Sequence, residues 1–142
     1  MTPNKIAGVI ALGMLSVWGN GYSAGKVDFG EREFHQQCSV CHGWDGKGDG
    51  VYVTTQLLKT KVPDLTTLSK RNGGMFPVQR MYGIIDGTEA VPAHGTREMP
   101  IWGPRYRADI EEAFFDVPFD AEAYVRAHIL ALIEYVSRLQ EK

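Results

Sequence analysis

The sequence predicts a mainly α-helical fold of three to five helices, and two observations support this prediction. Several segments repeat apolar residues at helical spacing, and most of them begin at residue types that start helices. No segment of useful length alternates apolar and polar residues as a half-buried strand does. The chain has 142 residues, enough for one small domain.

The first predicted helix precedes the only two cysteines of the chain. Asp28 and, three residues later, Glu31 form a capping box, and the helix runs from there toward Cys38. Residues 43–50 contain four glycines, which weaken any regular element. We therefore expect a helix that leads into the cysteines and a loop that follows them.

Two further helices are predicted in the middle of the chain. Pro77 suits the first turn of a helix, and Gly87 suits its end. Asp109 and Glu112 form a second possible capping box, which would begin a short helix through Phe115. In the first of these segments the apolar residues Val78, Met81, Ile84 and Ile85 recur at helical spacing.

The last predicted helix is the longest, and Asp120 is its expected N-terminal cap. Its apolar residues fall on one stripe, which should face the core. They are Val125, Ile129, Leu132, Ile133, Val136 and Leu139. With the three segments above, this gives four helices, within the expected range.

Both cysteines lie in the motif Cys38-Ser39-Val40-Cys41-His42. In a Cys-x-x-Cys-His motif the two thiols can form thioethers with porphyrin vinyl groups, and the adjacent imidazole can bind the iron. The motif therefore predicts one haem c, bound covalently through Cys38 and Cys41, with His42 as an axial ligand of the iron.

Three other interpretations of this motif are open. A thioredoxin-like redox disulfide would need a βαβ pattern around it, and none is present in the sequence. A zinc site could use His35 as a further ligand, but His94 and His128 stand alone instead of forming a second ligand pair. A structural disulfide would leave His42 without a role.

The N-terminus has the layout of a secretory signal peptide. Lys5 precedes the apolar stretch Ile6–Trp18, and small and polar residues follow in 19–25. We expect a signal peptide in residues 1–24 with cleavage near 23–25, a domain in residues 25–142, and a periplasmic protein. The apolar stretch is short for a membrane span, so an uncleaved anchor is the weaker alternative.

Charge excludes one class of partner. The chain carries 15 Lys and Arg against 17 Asp and Glu, a formal net charge of −2. A nucleic-acid-binding domain usually has a clear excess of basic residues. We therefore expect redox partner proteins and no nucleic acid, and we expect no membrane span in the mature chain.

A set of residues along most of the mature sequence fits one known pattern: Gly30, Phe34, the motif 38–42, Gly43, Gly46, Gly48, Gly50, Pro63-Asp64-Leu65, Ile85-Asp86-Gly87, Met99-Pro100-Ile101-Trp102-Gly103 and Tyr135. In these residues the chain resembles the bacterial monohaem class I cytochromes c. The resemblance implies the class I cytochrome c fold, with helices wrapped around one covalently bound haem.

The same resemblance assigns roles to individual residues. It implies that the Pro63 carbonyl accepts the Nδ1 proton of His42, that Leu65 packs on the haem ring, and that Trp102 lies near a propionate. It also implies that the first and last helices cross near a small residue and an aromatic. Our candidates for that crossing are Gly30 and Phe34 against Leu132 and Tyr135.

Met99 is the expected second axial ligand. It lies in a loop rich in glycine and proline and matches the family pattern Met-Pro-x-Trp-Gly. Met75, between glycine and phenylalanine, is a rival, and His94 would give two histidine ligands. Met81 falls on the apolar stripe of a helix and is better explained as core.

Histidine and methionine together fill both axial positions, which favours electron transfer over bond chemistry. We expect a single-electron carrier that is not an enzyme. The alternative is the haem c subunit of a periplasmic oxidoreductase whose substrate site lies on another chain. A peroxidase or gas sensor is less favoured, because Met99 would have to dissociate. Four lysines could surround the exposed haem edge: Lys47, Lys59, Lys61 and Lys70.

Residues 103–119 depart from the minimal family pattern. They place aromatic residues among acidic ones: Tyr106, Phe114, Phe115 and Phe119 among Asp109, Glu111, Glu112 and Asp116. We expect an extra helix that packs these aromatics on the core. The alternative is a docking surface for a partner, since aromatic residues are enriched in protein interfaces.

Overall fold

The fold is helical in a computed structural model of the chain, which describes residues 27–89, 99–115 and 118–142. Within these ranges there are seven α-helices, one π-helical turn and no strand. The predicted mainly α fold is confirmed. The helices outnumber the three to five that were expected, because several of them are single turns. The elements are α1 (Phe29–Glu33), the π-helical turn (Phe34–Cys38), α2 (Ser39–His42), α3 (Val51–Thr54), α4 (Leu68–Arg71), α5 (Val78–Asp86), α6 (Trp102–Ala113) and α7 (Ala121–Arg138).

The first helical run begins as the sequence predicts but contains a widened turn. Asp28 caps α1, because its Oδ1 accepts the Glu31 backbone N–H at 2.9 Å. In the π-helical turn the Ser39 backbone N–H donates to the Phe34 carbonyl, five residues back instead of four. This wider turn brings residues that are five apart close to the same face of the helix.

Helix α7 is the centre of the packing. Asp120 caps it as predicted, with Oδ1 accepting the Ala123 N–H at 2.9 Å. Its predicted apolar stripe is buried except for Leu139, which is partly buried against the core. The helix packs against α1, α5 and α6. A single helix therefore joins the core to both sides of the molecule.

Helices α1 and α7 cross closely at Gly30. A methyl group at Gly30 would lie 2.1 Å from the Ala131 carbonyl oxygen and 3.2 Å from Tyr135 Cβ, so only glycine fits there. The Phe34 and Tyr135 rings lie 5.2 Å apart. The expected small residue and aromatic thus meet at the crossing, with Ala131 instead of Leu132 nearest to Gly30.

Helix α6 begins at Trp102 and not at Asp109, so the predicted start was wrong. No side chain caps the new start, but Pro104 is compatible with a first helical turn. The buried residues of α6 recur at helical spacing: Trp102, Gly103, Tyr106 and Ile110. The capping pattern at Asp109 and Glu112 therefore lies inside a helix.

The aromatic residues of 103–119 do not all pack on the core. Tyr106 is buried as expected. Phe115 is 87% exposed, and Phe114 and Phe119 stack on each other with a centroid distance of 5.0 Å while staying 42% and 47% exposed. The expectation of core packing is therefore wrong for these three residues.

Of the helices within 27–89, 99–115 and 118–142, none has the length and apolarity to cross a membrane.

Candidate functional site

A cavity of about 570 Å³ lies between the helices. Pockets that hold small molecules and cofactors are typically about 300–1,000 Å³ and mainly apolar. All seven residues that the sequence analysis placed at the site lie in its wall: Cys38, Cys41, His42, Pro63, Leu65, Met99 and Trp102. Apolar side chains from three other elements, the π-helical turn, α5 and α7, also line the wall: Phe34, Met81, Ile85, Leu132 and Val136.

Helix α2 supplies His42, and Pro63 orients it. His42 is buried, and its Nδ1 lies 3.4 Å from the Pro63 carbonyl oxygen. A carbonyl oxygen can only accept, so Nδ1 is the nitrogen that carries the proton in this bond. Nε2 is then the nitrogen with a lone pair for a metal. This is the arrangement that the family resemblance implies.

The glycine loop fixes the cysteine motif to the Pro63 segment. The N–H groups of Gly48 and Gly50 donate to the carbonyls of His42 and Cys41, at 2.7 and 3.1 Å. The Leu65 N–H donates to the Gly46 carbonyl at 2.7 Å. These bonds tie the loop to the residues before and after it.

Gly48 is the glycine at which this loop meets the Val62–Pro63 backbone. Its φ is +80°, a conformation that side chains other than glycine rarely adopt. A methyl group there would lie 2.6 Å from the Val62 carbonyl oxygen. The glycine at position 48 therefore has a local cause, which is the close approach of the 62–63 backbone.

The C-terminus holds the other side of Leu65. The Gln140 Nε2 donates to the carbonyls of Leu65 and Val136 at 2.7 and 2.9 Å, and its Oε1 accepts the Ser69 N–H at 2.9 Å. The Glu141 N–H donates to the Thr66 carbonyl at 2.8 Å. No sequence pattern indicated this contact, because it joins residues about seventy positions apart.

Asp64 stabilises the turn between Pro63 and Leu65. Its Oδ1 accepts the Thr66 N–H at 2.8 Å and the Thr66 hydroxyl at 2.6 Å. Burial opposes ionisation, but these two bonds and the charges of Arg71 and Lys47 outweigh it, so the pKa of Asp64 is lowered. The carboxylate form is therefore the one that holds the turn.

Two methionines line the cavity. Met99 is partly buried against the core, and Met81 on α5 is buried. Met75 is 72% exposed and does not belong to the cavity wall. His94, the possible histidine ligand, lies outside the described residues. The structure therefore keeps Met99 as a candidate ligand and adds Met81, which the sequence analysis regarded as core.

The two cysteines are not joined in a disulfide. Burial raises the pKa of the Cys38 thiol to about 12, and the charges of Glu33 and Cys41 act in the same direction. Among the described residues, no three His, Cys, Asp or Glu side chains are placed to hold a metal ion. The zinc and disulfide interpretations of the motif therefore gain no support.

His35, which the zinc interpretation required, has other contacts. Its Nε2 lies 3.2 Å from the Tyr135 hydroxyl, and its ring stacks on Trp44 at 3.8 Å. It is absent from the cavity wall. His35 therefore contributes to the contact between the first helical run and α7.

Basic residues at the cavity differ in part from the four predicted lysines. Lys61 lines the cavity, together with Arg71 and Arg80. The other three lysines, Lys47, Lys59 and Lys70, are exposed but are not part of its wall. Among the residues that the structure describes, Lys61 and the two arginines are therefore the basic side chains that line the cavity.

A buried polar pair next to the cavity was missed by the sequence analysis. The Tyr106 hydroxyl donates to the Glu33 Oε1 at 3.0 Å, and both side chains are buried. Burial and the Glu33 charge raise the pKa of Tyr106. A signal was present in the sequence: Gly30, Glu33 and Phe34 are spaced to share one helix face, and Gly30 and Phe34 had been placed in the core.

The cavity fits a covalently held haem. It combines an apolar wall, two thiols at the spacing of the attachment motif, a buried imidazole oriented by a carbonyl, and thioethers from other parts of the chain. A helical fold around such a cavity defines a c-type haem protein.

The family comparison agrees with this assignment. The family model described as Cytochrome c matches residues 27–140, and the chain therefore belongs to the cytochrome c family. Its function is haem-based electron transfer. No curated protein and no solved structure matches the chain.

Proposed function

We propose that this chain is a periplasmic single-electron carrier of the bacterial monohaem class I type, and that it has no enzymatic activity of its own. One haem c is held by thioethers to Cys38 and Cys41, and His42 and Met99 are its axial ligands. One observation carries the proposal: these four side chains line the same cavity.

The residues of the chain supply attachment, orientation and exclusion of water. Haem c with histidine and methionine ligands exchanges single electrons and leaves no open position for oxygen or peroxide. The Pro63 carbonyl fixes the tautomer of His42, which favours Nε2 as the ligating atom. Apolar residues such as Leu65 and Trp102 keep the surroundings dry.

The proposed location follows from the N-terminal sequence. The stretch from Lys5 through residue 25 has the layout of a signal peptide, and it lies outside the described residues. Mass spectrometry of the protein from its host should find an N-terminus near residues 24–26 and a periplasmic location. An intact leader in the cytoplasm would contradict this part of the proposal.

A second candidate is a haem c subunit of a periplasmic oxidoreductase. It is favoured by the exposed side chains of Phe114, Phe115 and Phe119, since aromatic residues are costly on a free surface and frequent in interfaces. Purification from the native host distinguishes the two candidates. A free carrier elutes alone, whereas a subunit elutes with a second chain at constant stoichiometry.

Covalent attachment is the first test. Acid–acetone should leave the haem on the wild-type chain, and the denatured protein should carry the mass of one haem. Cys38→Ala and Cys41→Ala should each leave one thioether, and the double variant should release its haem to the solvent. Haem that is extracted from the wild type would refute the proposed attachment.

Axial ligation is the second test. Met99→Ala should abolish the far-red sulfur-to-iron absorption of the oxidised protein and lower the reduction potential, because a thioether raises it. Met75→Ala and His94→Ala should keep the band. Met81→Leu is the matched control inside the cavity wall, since it removes the sulfur but keeps the volume. A band that survives in Met99→Ala and disappears in Met81→Leu would reassign the ligand.

A further inference from the structure

Glu33 is a buried carboxylate that forms no ion pair with the described residues. It is 8% exposed, and the Tyr106 hydroxyl at 3.0 Å is its hydrogen-bond donor. None of the ion pairs among the described residues includes Glu33. Acidic side chains are rarely buried unless paired, because removing a charge from water is unfavourable. A residue that is so costly to the fold is a candidate for a functional role.

The π-helical turn places Glu33 next to the haem attachment motif. Glu33 ends α1 and Cys38 ends the π-helical turn, so the two residues are five positions apart. In a regular α-helix such residues diverge, whereas the hydrogen bond across five residues in a π turn brings them near one face. Cys38 lines the cavity. The carboxylate therefore lies behind the part of the wall that attaches the haem.

The surroundings of Glu33 keep its field effective. Phe29, Tyr106 and Tyr124 pack around His128 on the adjacent side, with ring-centroid distances to His128 of 4.6, 4.8 and 4.0 Å. The charge of Glu33 acts on Tyr106, Tyr124 and His128 as well as on Cys38. Glu33 itself is buried, and a buried charge is screened less by water and salt than a surface carboxylate, so its effect reaches farther.

We propose that Glu33 sets the reduction potential of the protein: its buried negative charge favours the oxidised form of a haem bound in the cavity and so lowers the potential. Tyr106 moderates this effect, because its hydroxyl spreads part of the charge of the Glu33 carboxylate. Glu33 thus acts on the haem through its electric field and is not a ligand of the iron. The inference rests on the proposed haem site.

The test compares Glu33→Gln with Glu31→Gln. Both variants remove one negative charge from α1, but Glu31 is exposed. Redox titration against soluble mediators, followed by the visible spectrum, should show that Glu33→Gln shifts the equilibrium about tenfold toward the reduced protein, which is 59 mV for one electron. Glu31→Gln should shift it less than about twofold at low salt and not at all in 1 M salt, because only exposed charges are screened.

A purely structural role predicts the opposite sign. If Glu33→Gln only loosened the pocket, water would enter and favour the oxidised form, so the potential would fall. An unchanged or lower potential in Glu33→Gln, or a shift that 1 M salt removes, would overturn the inference. Wild-type protein without covalent haem would instead refute the proposed function, so the two failures are distinguishable.

Tyr106→Phe keeps the test informative if Glu33→Gln does not incorporate haem. This variant retains the carboxylate and removes its hydrogen-bond donor. The potential should fall, and a raised or unchanged value would contradict the inference. Where both variants fold, Tyr106→Phe should have no effect on the potential in the Glu33→Gln background, because Tyr106 acts through Glu33. An equal shift in both backgrounds would also contradict it.

Discussion

The motif region, residues 38–65, and the α6 end, formed by Phe114, Phe115 and Phe119, differ in how they are held. In the motif region, main-chain hydrogen bonds join the cysteine motif, the glycine loop and Leu65, and the buried His42 ring meets the Pro63 carbonyl. At the α6 end, two half-exposed rings stack on each other, and Phe115 is almost fully exposed.

This difference separates two demands on an electron-transfer protein. Axial ligands must keep a fixed orientation in both oxidation states, and backbone hydrogen bonds together with glycine turns provide that rigidity. A partner surface must present apolar side chains to solvent and bury them only in a complex, at a cost to the free protein. Substitutions in the two regions should therefore affect different measurements.

Gly48→Ala should have the largest effect on stability. The added methyl group would lie 2.6 Å from the Val62 carbonyl oxygen at a φ of +80°. Left-handed strain of about 1–2 kcal/mol and overpacking of about 1–3 kcal/mol should combine to a loss of roughly 2–5 kcal/mol in urea unfolding. Gly73→Ala is the matched control, because Gly73 has a φ of +66° and open space around it. Equal losses in both variants would show that the close approach does not matter.

Gln140→Ala should come next. It removes the donor to the Leu65 carbonyl and the acceptor of the Ser69 N–H. Leaving such partly buried groups unpaired costs about 1–3 kcal/mol, which should appear as a lower urea midpoint. Glu141→Ala keeps its backbone bond to Thr66 and should change stability by less than about 0.5 kcal/mol. If Gln140→Ala behaves like this control, the motif region does not depend on the C-terminus.

Local signals in the sequence predicted the helices that have them. Asp28 and Asp120 cap α1 and α7, and α5 ends before Gly87. The predicted start of α6 was wrong because no capping side chain marks Trp102. Asp109 and Glu112 have the spacing of a capping box but lie inside the helix. Helix starts that depend on burial and not on a local cap are not recorded in local sequence patterns.

The cavity-lining residues that were named from the sequence are those whose type and spacing a haem site would require. The motif 38–42 and Pro63 are recognisable because attachment and orientation of a ligand need those residue types, and all seven predicted residues meet at one cavity. The spacing of Glu33 with Gly30 and Phe34 indicated that Glu33 is buried, but not which residue it contacts. The partners of Glu33 and Gln140 were not predictable, because each lies about seventy positions away. The exposure of Phe115 was not expected for a different reason: the apolar side chain alone predicts burial.

His128 should make a smaller contribution to stability than Gly48 and Gln140, and this contribution should depend on pH. Burial lowers its pKa, while Glu33 and Asp109 act to raise it. Its Nδ1 is buried and has no hydrogen-bond partner within 27–89, 99–115 and 118–142. The unfolded chain then binds the proton more readily, so stability falls as pH decreases below about 6.5, the ordinary histidine value.

His128→Phe removes this proton site and should reduce the acid sensitivity. Between pH 8 and pH 5 the variant should lose less stability than the wild type, by under about 1 kcal/mol because His128 is partly exposed. Urea unfolding at both pH values measures the difference, and the pH 8 value is the control for the change in packing. An equal loss in both proteins would mean that His128 does not titrate differently on folding.

Phe115→Ala should have the smallest effect on stability and the largest on partner recognition. Because the side chain is 87% exposed, the free energy of unfolding should change by less than about 0.5 kcal/mol. If the α6 end docks the redox partner, stopped-flow electron transfer to that partner, purified from the same host, should slow several-fold in Phe115→Ala and Phe119→Ala. It should stay near the wild-type rate in Phe115→Leu. Oxidation by ferricyanide should be unchanged in all three.

Salt separates this surface from the basic residues at the cavity. If Lys61 and the arginines beside it steered the partner, the rate would fall steeply with salt and in Lys61→Gln, since exposed charges act through a screened field. We expect a mild salt dependence instead, because the net charge of the chain is small and its acidic and basic residues are interspersed. A steep salt dependence combined with normal rates in both phenylalanine-to-alanine variants would exclude the α6 end as the docking surface and leave the cavity edge in its place.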